Sequence, residues 1–267
     1  MVVAVTLLPQ AAFVEAVAGQ QVEVVVMVPP GASPHTYEVT PEQMVALSKA
    51  RVYAKVGTPV EFELSWMDRL VDANREMLVV DCSRGIEFIE AEEDEHADEG
   101  GEEHTHSGAD PHIWLSPRNA QVMVQNICDG LVQVDPANAD SYRENCAAYV
   151  AELSALDAEL AAAFEDLEQP RFIVFHPAFG YLARDYGLTQ IAVEQGGSEP
   201  DAQYLIRLIE EAKAHGIRVV FAAPQFSTRS AEVVAQGIGG EVVLIDPLAE
   251  DYIPNMRAIA LALQDVS

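Results

Sequence analysis

The sequence predicts an α/β protein of two lobes, each a parallel β-sheet flanked by helices, joined by one long rigid backbone helix. Three observations predict it. Short apolar runs alternate with amphipathic segments on both sides of a central stretch, the pattern of parallel sheets with helical crossovers. In the central stretch, Tyr142, Cys146, Tyr149, Leu153, Leu156, Leu160, Phe164 and Leu167 recur at gaps of three or four and so share one helix face. The length, 267 residues, is near the size at which a single core divides. The expected partition is an N-terminal lobe at 1–134 with an acidic, histidine-bearing loop at 90–109, a linker helix at 135–168, and a C-terminal lobe at 169–267.

In the first lobe, residues 2–8 read as a buried strand, 11–17 as an amphipathic helix ending at Gly19, and 22–28 as a second apolar strand. Pro29, Pro30, Gly31 and Pro34 then break regular structure, and His35 follows directly. Thr40 opens a helix reaching Ala50. Residues 51–56 and 77–81 read as strands, with a helix at 60–71 between them. Residues 90–109 are nearly all Glu, Asp, Gly and His with no aliphatic larger than Ala, so they are expected to be disordered. Ser116-Pro117 caps a helix to about Val132. Asp135 is the expected cap of the linker helix, with Pro136 in its first turn, and no Gly or Pro interrupts it before Pro170. At 1.5 Å per residue it makes a rod of roughly 50 Å.

The second lobe repeats the alternation. Strands are expected at 171–175, 188–193, 218–222 and 241–245, with helices at 178–186, 198–215, 227–236 and 255–263.

The formal net charge of −28 excludes nucleic acid as a partner and argues against an anionic membrane face, while suiting a cationic ligand or simply a solvated acidic surface. No run approaches the ~20 apolar residues of a membrane span. No export signal precedes the first strand, as expected of an exported chain with its signal removed or of a cytosolic one. The three cysteines, Cys82, Cys128 and Cys146, lack C-x-x-C spacing and do not decide the compartment.

Of the seven histidines, His96, His104 and His106 lie in the acidic loop, and His215 sits in the last turn before Gly216. His35, His112 and His176 each adjoin a proline, and Asp246 follows the final strand. In parallel sheets ligands gather at loops beyond the carboxyl ends of strands. Three imidazoles and a carboxylate can hold a borderline divalent cation tetrahedrally. Each histidine could equally be an isolated, hydrogen-bonded residue, and spacing does not decide between the two.

The residues around these positions are more specific. Pro-Gly-Ala-Ser-Pro-His-Thr-Tyr-Glu at 30–38, Asp-Pro-His-Ile-Trp-Leu-Ser-Pro at 110–117, His-Pro-Ala-Phe-Gly-Tyr at 176–181, Pro-Gln-Phe-Ser at 224–227 and Asp-Pro-Leu at 246–248 resemble, in order, the segments of the cluster A-I metal solute-binding proteins of ABC transporters. The resemblance implies Zn(II) in a cleft between the lobes, held by His35 and His112 from the first and His176 and Asp246 from the second. It implies delivery to a membrane permease and its ATPase by a monomeric extracytoplasmic carrier. His at 176 favours zinc over Mn(II), because manganese members usually carry Glu there. Pro34 replaces a Glu that assists some zinc members, leaving Asp246 or a water to complete the shell. The loop histidines His96, His104 and His106 are candidates for auxiliary metal, and Glu38 and Asp110 for orienting a ligand imidazole. The rivals are a manganese or iron carrier or an adhesin of the same fold, and a zinc enzyme, for which no general base or nucleophile motif is visible.

Overall fold

The computed structural model describes residues 1–90, 108–167, 170–195 and 197–264. The first lobe is built on β1 (Val2–Val5), α1 (Leu8–Ala18), β2 (Glu23–Val26), α2 (Pro41–Leu47), β3 (Ala50–Lys55), α3 (Glu61–Ala73), β4 (Leu78–Asp81) and α4 (Pro117–Val134). After α5 (Ala139–Phe164) come β5 (Arg171–Val174), α6 (Gly180–Tyr186), β6 (Thr189–Ala192), α7 (Ala202–Ala214), β7 (Val219–Ala222), α8 (Arg229–Ile238), β8 (Glu241–Leu244) and α9 (Tyr252–Gln264). Among the described residues the strands form two four-stranded sheets, ordered β2-β1-β3-β4 and β6-β5-β7-β8, and each strand pairing is parallel. The two-lobed α/β fold is therefore as the alternation predicts.

Several boundaries move, each for a local reason. Pro136–Asn138 is a separate 3₁₀ turn, so the linker helix starts at Ala139. Asp135 does not cap it. Its Oδ2 accepts instead from Asn138 Nδ2 at 2.7 Å and the Tyr142 hydroxyl at 2.7 Å, pinning the α4–α5 corner. Helix α7 starts at Ala202 rather than 198, because Asp201 caps it by accepting from Tyr204 N and Pro200 resists a helix running through it. Ser116 does cap α4, its hydroxyl accepting from Asn119 N at 3.1 Å. Residues 91–107, which hold His96, His104 and His106, lie outside the described residues, as do 168–169. The ends of the acidic stretch meet in an antiparallel bridge between Glu90 and Ala109.

One core runs through most of the molecule. It joins β1, α1, α4, the inner face of α5 (Tyr142, Cys146, Leu153, Leu156, Leu160, Phe164), α6 and α9. Phe13 of α1 meets Tyr252 of α9 edge-on with centroids 4.9 Å apart. A smaller core lies on the other face of the second sheet, under α7 and α8, with Ile173, Val193, Leu208, Val220 and Val234 fully or almost fully buried. Because the larger core is continuous across α5, wide opening of the lobes would expose apolar area at about 25 cal/mol per Å². Small tilts cost far less.

Candidate metal centre

Three imidazoles converge beyond the ends of the strands, one donor atom from each of His35, His112 and His176 lying within 4.8 Å of the others. The rings of His35 and His176 are 4.8 Å apart between centroids, and those of His112 and His176 5.0 Å.

His35 stands on the loop after β2, the edge strand. Proline supplies the break and Ser33 the turn, its carbonyl accepting from Thr36 N and Tyr37 N. The loop is stapled by Gln43 on α2, whose side-chain oxygen accepts from the Tyr37 hydroxyl at 3.0 Å while its amide nitrogen donates to the Met27 carbonyl at 2.7 Å. His35 Nδ1 pairs with Glu61 Oε1 at 2.9 Å.

His112 is held more tightly. Asp110 Oδ1 accepts from His112 N at 2.9 Å and pairs with its Nδ1 at 2.8 Å, so one carboxylate oxygen sets both backbone turn and ring. Both lobes grip this segment. Thr58 of the first lobe donates to the Pro111 carbonyl at 2.8 Å. From the second lobe the Tyr181 hydroxyl donates to the Asp110 carbonyl at 2.9 Å and the Tyr252 hydroxyl to the Trp114 carbonyl at 2.7 Å. Trp114 Nε1 in turn donates to the Pro247 carbonyl at 2.8 Å, and the Ser116 hydroxyl donates to Asp185. Close approach here requires glycine at 180, since a Cβ there would lie 2.3 Å from Asp110 Oδ2.

His176 follows β5, and its Nδ1 pairs with Glu194 Oε1 at 2.8 Å. Parallel register explains this pairing. Val174 lies opposite Ala192, so the residues two further on each chain, His176 and Glu194, emerge side by side. Burial, the largest influence, holds the His176 imidazole below its ordinary 6.5; the bond to Glu194 opposes this and the nearby His112 reinforces it. Glu61 lies below the ordinary carboxylate range: burial alone would raise it, but the hydrogen bond to His35 and the electrostatics of the neighbouring imidazoles prevail.

Each Nδ1 thus faces a carboxylate, which when ionised only accepts hydrogen bonds. Those partners place the proton on Nδ1 and turn the Nε2 lone pair inward. His112 Nε2 and His176 Nε2 lie 3.1 Å apart. Two lone pairs meeting at that distance repel one another unless a proton or a cation lies between them.

Of the other anticipated residues, Asp110 orients the His112 ring as expected, and His96, His104 and His106 lie outside the described residues. Asp246 is not in the imidazole cluster: its Oδ1 accepts from Gln225 Nε2 at 2.7 Å and Leu248 N at 2.9 Å. The carboxylate on His35 is Glu61 rather than Glu38. Glu61 and Glu194 carried no local signal in the sequence, although the strand register, once known, points to Glu194.

Two parallel α/β lobes on a helical backbone, with a convergent imidazole triad at the strand ends, have the architecture expected of a two-lobed solute-binding protein. The family model described as zinc-uptake complex component A, periplasmic, matches residues 3–266, and the chain belongs to that family. It is 31% identical over 249 residues to the high-affinity zinc uptake system protein ZnuA of Bacillus subtilis, covering 92% of this chain and 78% of that protein. It is 27% identical over 276 residues to the zinc-binding protein AdcA of Streptococcus pyogenes, covering 96% of this chain but 54% of AdcA, so it spans about half the length of that relative. A crystal structure of ZnuA superposes with a TM-score of 0.92 at 41% identity, covering 100% of this chain and 98% of the other. Among the described residues, no helix is long and apolar enough to cross a membrane.

Proposed function

We propose that this chain binds Zn(II) through His35, His112 and His176 between its lobes and delivers it, outside the cytoplasm, to the permease of an ABC transporter. The observation that carries the reading is the 3.1 Å approach of the His112 and His176 Nε2 atoms with both Nδ1 atoms committed to carboxylates. Two nitrogens about 2.0–2.1 Å from a tetrahedral zinc lie roughly 3.3 Å apart. The pair is therefore spaced close to what a shared ion needs, and the ion removes the lone-pair repulsion. An all-nitrogen set favours zinc over the harder Mn(II). The fourth position falls to Asp246, whose Oδ1 accepts from Gln225 and Leu248, or to water.

The family and its named relatives support zinc uptake as the setting. The three-imidazole arrangement is also that of some zinc enzymes. The carrier reading is favoured because Glu61, Asp110 and Glu194 are each bonded to an imidazole Nδ1 rather than standing free as a general base. Competition titration of the metal-free chain with Zn(II) and Mn(II) tests it. One equivalent of zinc bound much more tightly than manganese is expected; equal affinities, or no zinc binding, defeat the proposal.

A further inference from the structure

We propose that Phe226 is the cover of the triad and sets the rate at which a bound zinc ion exchanges with solution, an inference that rests on the carrier reading above. Phe226 lies in the turn after β7, its N–H bonded to the Ala223 carbonyl at 3.1 Å. Its ring stacks on His176, with centroids 4.7 Å apart and planes 29° from parallel, and reaches His35 at 5.8 Å. It therefore spans an imidazole of each lobe. Its other side rests on Phe175 at 5.8 Å and on the smaller core, which anchors it to the second sheet.

The His112 side of the triad is closed. His112 is 7% exposed and backed edge-on by the buried Trp114 at 5.4 Å. The side chain of His35 is the most open of the three, at 23% exposure. Water or a chelator attacking an ion held by these nitrogens must come past His35 or past the Phe226 ring. The ring donates nothing to the metal, so its effect is on access and local desolvation, and it should act on dissociation far more than on the donor set.

The test is stopped-flow release of Zn(II) from the full chain into excess chromophoric chelator, for the parent, F226A and F226W. F226A is expected to release zinc roughly tenfold faster or more, and F226W, which restores a ring, to return to within about threefold of the parent. The Co(II) d–d spectrum of F226A is expected to keep the parent's band positions, which a disrupted ligand set would shift. An F226A rate within twofold of the parent, a spectrum moved to a different ligand field, or an F226W rate as fast as F226A's overturns the proposal. The parent trace separates this failure from that of the carrier reading: release complete on mixing defeats both, whereas slow release from parent and F226A alike defeats the cover alone.

Discussion

His112 and His35 belong to the same lobe, yet they are held in different ways. The His112 segment is gripped from both lobes by five side-chain hydrogen bonds, and its imidazole is buried. His35 rides on a proline-broken edge loop stapled by Gln43, and its carboxylate partner Glu61 has a side chain 44% exposed. His176 resembles His112 in burial, and Glu194 beside it has a side chain only 7% exposed. The difference teaches that two of the imidazoles form a rigid pair across the lobes, and the third approaches it on a more yielding arm.

The comparison can be broken most directly at the imidazoles. H112A and H176A are expected to raise the zinc Kd beyond the roughly 100-fold upper range typical of a supporting residue. H35A should cost less, because the pair it joins stays in place. Isothermal titration against a competing chelator ranks them, and an H35A loss as large as that of H112A would refute the asymmetry.

The carboxylates sharpen it. E194Q exchanges a buried carboxylate for a neutral amide and is expected to weaken zinc nearly 100-fold, whereas E61Q, at the solvent edge, should cost nearer tenfold. Equal losses would mean that exposure does not govern the support.

Acidity comes next. Ligand imidazoles must be neutral, so protons compete with zinc. Burial depresses His176 below its ordinary 6.5, so it remains neutral to lower pH than a free histidine would. Apparent affinity should stay level from pH 8 to about 6.5 and fall below that. The sign for the metal-free chain is the same: the unfolded histidine protonates first, so stability is lost as pH falls through the window below 6.5. Affinity rising on acidification would contradict the neutral-ligand assignment.

The smallest effect is expected at the inter-lobe clamp. Y181F deletes the hydroxyl bond to the Asp110 carbonyl and should cost about 1 kcal/mol of stability by denaturant unfolding. A loss indistinguishable from zero would show that the other bonds suffice to hold the His112 segment.

Much of the architecture was legible beforehand because it depends on local periodicity. Apolar runs such as residues 2–8 and 171–175 contain the strands Val2–Val5 and Arg171–Val174, and the three-or-four spacing from Tyr142 to Phe164 marks the buried face of α5. Boundary errors fell where a side chain was diverted. Asp135 serves Tyr142 and Asn138 instead of a helix end, and Asp201 rather than Ser198 opens α7. The triad was legible as histidines placed at strand ends or in proline-bounded loops, within segments that resemble those of a known family.

What the chain determined by itself was the set of elements and the three imidazoles they carry, because hydrophobic period, proline and glycine act over a few residues. The tertiary structure decided which acids serve them. Glu61 and Glu194 reach their histidines across loops and neighbouring strands. Strand order and lobe docking are sums of many distant contacts, and no short window of sequence contains them.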